Sequence, residues 1–320
     1  MGGLRRAARA GSIEGSTSIE GFSVPADRAI ELVRDGGLAE PRGESQMAVA
    51  CYARAMDRVE ALADDPSFRW LDRIILDLHF DACQFQRDKW PGRWRLGQIG
   101  VTGADGSLEF RGPEPERVPD LMAEVVEWLG DGDLEAHVAV RAAMAHLHVT
   151  SVHPFEDGNG RIARIVQSLV LAREGLVSAE LASIEEYLAQ HTSQYYAALR
   201  ETQGGGYNPE RDASRWVEFC LDAHLAQARR RLAQIESAAT RWERLEEIVA
   251  QHGWPDRLVI ALEQSLAGGT DRALYSREAG VSPASASADL RRLVDAGLLE
   301  VAGKGRNTRY QPGARLQVDL

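Results

Sequence analysis

Cysteine is scarce in this chain of 320 residues: Cys51, Cys83 and Cys220 stand far apart, with no C-x-x-C pair. That excludes a disulfide framework and a cysteine-rich zinc module, and it suits a reducing compartment. Nowhere does an uninterrupted apolar run approach the ~20 residues that span a bilayer. The opening MGGLRRAARAGS has no apolar stretch of the signal-peptide kind, and Arg6 stands where a myristoylation motif wants Ser or Thr. A soluble cytoplasmic protein with no membrane partner is therefore expected. Positive charge is also short, with 37 Lys and Arg against 48 Asp and Glu and a net charge of -11. A chain-wide basic footprint for nucleic acid is excluded, while a local one is not. Internal repeats and long low-complexity tracts are absent as well.

What the chain does have is 44% hydrophobic residues, enough for packed cores in about two domains by its length. Most of it reads as helix. Apolar residues recur at three- and four-residue spacing over Met47–Leu62, Trp70–Phe85, Pro119–Leu129, Leu134–Val149 and Trp216–Ala233. One interruption, Arg95 to Phe110, places short β-prone runs around Gly103-Ala104-Asp105-Gly106 and reads as an isolated hairpin. Pro113, Pro115 and Pro119 delay the return to helix.

From Leu258 onward the pattern is a short helix, a second over Tyr275–Ala279, and a turn at Gly280-Val281-Ser282-Pro283. A third helix over Ala284–Ala296 is stopped by Gly297, and a small hairpin follows, Leu298–Val301 with Thr308–Gln311. This succession looks like a winged helix-turn-helix, with Lys304, Arg306 and Arg309 clustered in the wing. The Ala- and Ser-rich stretch Ala284–Ala288 carries few base-reading side chains, so DNA and protein stand equally as its partner. The expected organisation is an N-terminal helical region over 1–90, a catalytic core over 91–235, a linker over 236–256 and the winged helix over 257–320.

The chemistry concentrates in one run, His153-Pro154-Phe155-Glu156-Asp157-Gly158-Asn159-Gly160-Arg161-Ile162-Ala163-Arg164. His153 is the natural general base, because only its side chain titrates near neutrality. Asp157 is a hard carboxylate suited to Mg²⁺. Gly158-Asn159-Gly160 lets backbone N–H groups approach a phosphate where the apolar pattern from Ile162 begins a helix. Arg161 and Arg164 share one helical face and suit a polyphosphate. Base, metal ligand, anion cradle and cationic clamp together describe phosphoryl or nucleotidyl transfer. A zinc hydrolase built on His146, His148 and His153 fits worse, for the spacing lacks H-E-x-x-H.

The run resembles the Fic family signature H-x-F-x-[D/E]-G-N-G-R-x-x-R and matches it at every specified position. GRWRLGQIGV with the proline-rich segment after it resembles the family's flap, and the similarity extends over about residues 10 to 225. The resemblance implies a mainly α fold, a helical bundle with a β-hairpin flap. It implies transfer of AMP from ATP, with Mg²⁺ or Mn²⁺, to a Ser, Thr or Tyr hydroxyl of a protein, the chain itself included. His153 would activate the hydroxyl and Asp157 would hold the metal. Gly158, Asn159 and Gly160 would stabilise the α-phosphate, and Arg161 and Arg164 would take the phosphate tail. Gly97, Gln98, Ile99, Gly100 and Val101 would dock the target by strand addition. Gly160 stands where a kinase-like branch has Lys, which favours AMP transfer.

Ser16-Thr17-Ser18-Ile19-Glu20-Gly21 resembles the family's inhibitory motif, [S/T]-x-x-x-E-[G/N], placed N-terminal to the core. Ser16, Glu20 and Gly21 would bring a carboxylate to Arg164 and misalign the nucleotide. Two other functions fit the same residues: a winged-helix regulator with an ATP-sensing domain, and a hydrolase in which Glu20 orients water to remove AMP. A homodimer is compatible with either.

Overall fold

A computed structural model describes residues 2–33, 40–103, 106–174, 182–303, 305 and 308–319. The hairpin-turn residues Ala104 and Asp105, and Lys304 and Arg306 of the expected wing, lie outside them. The chain divides into two compact units, residues 8–229 and residues 230–320 with 1–7.

Residues 8–229 are mainly helical, with α1 (Gly2–Ile19) and α10 (Ser214–Gln251) each contributing only part of their length to this unit, and α2 (Ala26–Val33), α3 (Glu44–Ala63), α4 (Asp72–Cys83), α5 (Val118–Asp131), α6 (Val138–Val152), α7 (Asn159–Arg173), α8 (Glu185–Gln190) and α9 (Thr192–Gln203) lying wholly within it. At its centre α7 packs against α3, α4 and α6. Ile162, Ile165, Val166 and Leu169 of α7 are wholly buried among Tyr52, Ile75, Leu78, Met122 and Val149. The burial of these apolar residues seats α7 in the core, and that fixes the position of its N-terminal turn. Trp216 and Phe219 of α10 form an outer layer with Leu188 and Tyr195.

The expected hairpin is present as β1 (Gly100–Thr102) and β2 (Leu108–Arg111), antiparallel, with a bulge between Val101 and Thr102. Of the residues assigned to the flap, Gly97, Gln98 and Ile99 precede the strand, so β1 begins later than expected. The helix expected from Leu134 begins at Val138, after Asp133 takes a left-handed φ of 50°.

In the second unit α11 (Leu258–Leu266), α12 (Arg272–Ala279) and α13 (Pro283–Asp295) are followed by β3 (Leu299–Ala302), β4 (Arg309–Pro312) and α14 (Ala314–Asp319), the last not anticipated. The Ser282 hydroxyl accepts from the Ser285 N–H and caps α13. Residues 236–251, expected as linker, continue α10, and Leu245, Ile248 and Val249 join the core of Leu258, Leu262, Tyr275, Leu290 and Leu299. No Gly or Pro interrupts Ser214–Gln251, so nothing stops the helix.

Candidate active site

His153 ends α6 in a left-handed conformation, φ 50° and ψ 59°, with its N–H donated to the Val149 carbonyl. Its Nδ1 lies 3.1 Å from the Thr150 carbonyl oxygen. A carbonyl only accepts, so Nδ1 carries the proton and Nε2 keeps its lone pair. Burial lowers the imidazole pKa below its ordinary 6.5; the Thr150 bond opposes this, Arg95 adds to it, and Glu20 and Asp157 oppose it. The side chain is therefore neutral at neutral pH, as a base must be.

The loop after His153 is clamped from inside. The Asn159 carboxamide accepts the Phe155 N–H at 2.9 Å and donates to the Phe155 carbonyl at 2.8 Å. The phosphate contact implied for Asn159 thus meets a side chain already bound to the loop. Phe155 is fully buried and stacks on His79, with ring centroids 3.6 Å apart and planes within 5°. His79 accepts the Gly92 N–H at Nδ1, so its Nε2 donates to the Asp157 carbonyl at 2.9 Å. Burial lowers the His79 pKa to about 4, which keeps that arrangement neutral. Gly158 caps α7 at φ 79°, and a Cβ there would sit 2.5 Å from Cys83 Sγ.

Arg161 and Arg164 project from the first turns of α7, each with a side chain 1% exposed. Arg161 Nη2 donates to Gln86 at 2.8 Å and to Asp157 Oδ2 at 3.2 Å. Phe22 and Phe85 flank its guanidinium, each ring centroid 5.5 Å away. Arg164 donates from Nε to the Ser16 hydroxyl at 2.6 Å, and from Nη2 to the Ser16 carbonyl at 3.0 Å and Glu20 Oε1 at 2.7 Å. Nε and Nη1 of Arg161 and Nη1 of Arg164 are buried donors without a partner among the described residues. Unspent donors on two buried cations at a helix N-terminus suit an anion.

The segment after α1 covers both arginines. Phe22 N–H returns to the Thr17 carbonyl at 3.0 Å and Gly21 N–H to that of Ser18 at 3.0 Å, with Gly21 at φ 87°. This left-handed cap sets Glu20 on Arg164 and turns Phe22 onto Arg161. Gly160 makes room beneath: a Cβ there would lie 2.5 Å from Glu20 Oε1. Tyr52 and Tyr195 flank the pair, raising the Arg164 pKa further after burial has pulled it down and Glu20 has raised it.

A cavity of about 430 Å³ brings Glu20, His153, Asp157 and Gly160 together with Ile99 and Val101 of the hairpin. Gly100, Gly158 and Asn159 also line it. Gly97 and Gln98 are instead at the root of the hairpin, where Gln98 Nε2 donates to the Gly112 carbonyl at 2.7 Å and the Gly97 carbonyl receives Arg95 at 2.8 Å. Arg95, His79, Gln86 and Phe22 are the site's unforeseen members. Their signal in the sequence is faint, since each is a common residue far from the run it serves. His146 lies in a separate buried network with Gln167 and Tyr195, apart from any zinc-hydrolase arrangement.

Asp157 fits a divalent ion of the Mg²⁺ class. Its carboxylate is 38% exposed and held by the Gly158 N–H at 2.7 Å and by Arg161. Among the described residues no three His, Cys, Asp or Glu side chains form a cage. A single carboxylate completed by phosphate oxygens is the way such ions bind nucleotides.

A family profile described as the Fic/DOC family matches residues 70–171. The Fic/DOC likeness therefore lies in the segment that holds His153 and both arginines. It is 35% identical over 136 residues to a Caenorhabditis elegans protein named protein adenylyltransferase fic-1, 42% of this chain and 24% of that one. Over 166 residues, 49% of this chain and 31% of the other, it is 29% identical to a uridine 5'-monophosphate transferase of Xanthomonas campestris. A Nematostella vectensis protein adenylyltransferase Fic is 30% identical over 154 residues, 48% of this chain and 33% of that one. The chain thus spans a third or less of these relatives. A crystal structure of a Fic family protein from Desulfovibrio desulfuricans superposes with a TM-score of 0.61 at 22% identity, covering 97% of this chain and 87% of that one. A C. elegans Fic-1 structure gives 0.56 at 23% identity over 70% of this chain and 62% of the other. These two likenesses establish the Fic helical fold.

Proposed function

We propose that the chain is a nucleotidyltransferase that moves AMP from ATP to a hydroxyl of a protein, and that Glu20 restrains it. The observation that carries this reading is the pairing of a neutral imidazole, with Nε2 unspent, and a helix N-terminus holding two buried arginines. Nε2 of His153 takes the proton of the acceptor hydroxyl as its oxygen attacks the α-phosphorus. The phosphorus–oxygen bond to the departing pyrophosphate breaks. Arg161 and Arg164 stabilise the growing charge on the tail, and the N–H groups of the first turn of α7 serve the α-phosphate. Asp157 would hold a divalent ion, which when bound would supply charge neutralisation.

Glu20 meets Arg164 at the position where the last phosphate would be held, and Phe22 covers Arg161. Both arginines must shed residues 16–22 to grip a nucleotide fully. The test is mass spectrometry of a lysate incubated with ATP and the Glu20→Gly protein. A mononucleotide adduct on Ser, Thr or Tyr is expected, absent when His153→Ala is added. No adduct from Glu20→Gly, with ATP bound, would overturn the reading. The uridylyl-transferring relative favours a second donor, and parallel reactions with UTP discriminate it.

The second unit supports a winged-helix reading through its three helices, Ser282-capped turn and β3–β4 hairpin. It carries 15 Lys and Arg against 12 Asp and Glu, while residues 8–229 carry 22 against 36. That difference suits a module that brings the transferase to an anionic partner. A mobility shift with random duplex DNA, lost at raised salt, distinguishes DNA from protein as that partner.

A further inference from the structure

Arg95 is a charged side chain only 5% exposed, and every partner of its guanidinium is a neutral main-chain carbonyl. Nε donates to the His153 carbonyl at 2.8 Å, Nη1 to that of Gly97 at 2.8 Å and Nη2 to that of Pro113 at 2.7 Å. Its own N–H donates to the Pro154 carbonyl at 2.9 Å. Gly97 precedes β1 and Pro113 follows β2, so one planar fork holds both roots of the hairpin. The same fork holds the residue that bears the catalytic imidazole and, through the backbone, the residue after it. On the hairpin itself, Phe110 is buried with its ring 6.2 Å from the His153 ring. A hairpin pivoting on its roots would therefore move relative to the base.

We propose that Arg95 is a positioning residue: it sets the height of the β1–β2 hairpin over His153, so that a hydroxyl on a segment laid along β1 arrives at Nε2. The inference rests on the transferase reading above. Its physical basis is the narrowness of productive geometry. Reacting atoms must stand ~3–3.5 Å apart, and a misplacement of about 1 Å costs about a hundredfold in rate. Lysine would keep the charge but supply no planar fork to three carbonyls. Arg95 bonds on the hairpin side of His153, whereas the phosphate tail belongs to Arg161 and Arg164 on α7. Its loss should therefore fall on the acceptor and spare the nucleotide.

The parent for the test is the Glu20→Gly protein, with a His153→Ala copy of the chain as acceptor and α-labelled ATP as donor, each varied in turn. Arg95→Lys is expected to lower kcat/KM for the acceptor by about 30- to 100-fold, with KM for ATP unchanged within about twofold. Acceptor kinetics equal to the parent's would overturn the proposal. A matching rise in KM for ATP would overturn it too, because it marks general loosening. No transfer by the parent would overturn the transferase reading itself and the proposal with it. Gly112→Ala probes the same joint from the other side, since its Cβ would lie 3.1 Å from Arg95 Nη2 and 2.9 Å from Ile99 Cγ2. The same split, smaller in size, is expected. If Arg95→Lys shows no cooperative melting, parent-level acceptor kinetics in Gly112→Ala overturn the proposal.

Discussion

Asn159 carries more of the loop after His153 than a phosphate contact would require. Its two bonds to Phe155 satisfy a buried N–H and a buried carbonyl at once. Asn159→Ala strands both, and each buried polar group left unpaired costs about 1–3 kcal/mol. A loss of about 2–6 kcal/mol in urea unfolding is expected on that basis, and a loss below about 0.5 kcal/mol would contradict the clamp. Gly160, the next residue, faces Glu20 instead. A methyl there meets Glu20 Oε1 at 2.5 Å, and that carboxylate is the end of a flexible side chain. Gly160→Ala should therefore displace Glu20 before it displaces backbone. Faster hydrogen exchange at residues 16–21 with unchanged exchange in α6 is the expected sign. At this scale the sequence was most legible where chemistry is contiguous: His153 through Arg164 could be read directly. Arg95 and His79 were not legible as site residues. Their partners are main-chain atoms, of the loop after His153 and of the segments beside it, and no side-chain pattern reports a carbonyl that needs a donor.

Helix α1 shows what an element adds to its residues. Two glycines on it face α8, and they face it differently. A Cβ at Gly15 would lie 2.9 Å from the Glu185 carbonyl oxygen and 3.1 Å from the Glu186 Cα, both backbone. At Gly11 the nearest atom is a Glu186 side-chain carbon at 3.5 Å, an ordinary contact. Ser12 bonds the buried Glu185 carboxylate, which Tyr52 and Ser183 also hold. Gly15→Ala is expected to lift the helix and raise transfer severalfold without touching Glu20, whereas Gly11→Ala leaves the rate at wild type. Equal rates for all three would show that α1 does not need its close seat. The motif around Glu20 could be read from sequence, yet the reason for Gly15 could not, because it lies in a carbonyl 170 residues away. Helix α10 was underestimated for a simpler reason. Its apolar stripe changes partner between Trp216 and Leu245, so a single periodic face is legible only up to Ala233.

Across the whole molecule, buried neutral histidines tie stability to pH. Burial lowers the pKa of His146 to about 3 and those of His79 and His224 to about 4. Unfolded, each titrates near 6.5. Below that value the unfolded chain binds protons that the folded chain refuses. Their contribution is thus complete above about 6.5 and declines as pH falls toward the folded values. The melting temperature should fall steadily from pH 7 to pH 5, and a flat profile would contradict neutral burial. The mainly α class and the hairpin followed from composition and periodicity; most of the linker expected over 236–256 is instead helix, because α10 continues to Gln251. In the function proposed above, restraint of transfer converges on one ion pair, Glu20 with Arg164. Its most direct test is the rate of nucleotide transfer at saturating ATP for the wild-type and Glu20→Gly proteins, with ATP affinity measured in parallel. Transfer at least tenfold faster in Glu20→Gly, with both proteins binding ATP, is expected. Equal rates at equal ATP occupancy would contradict it.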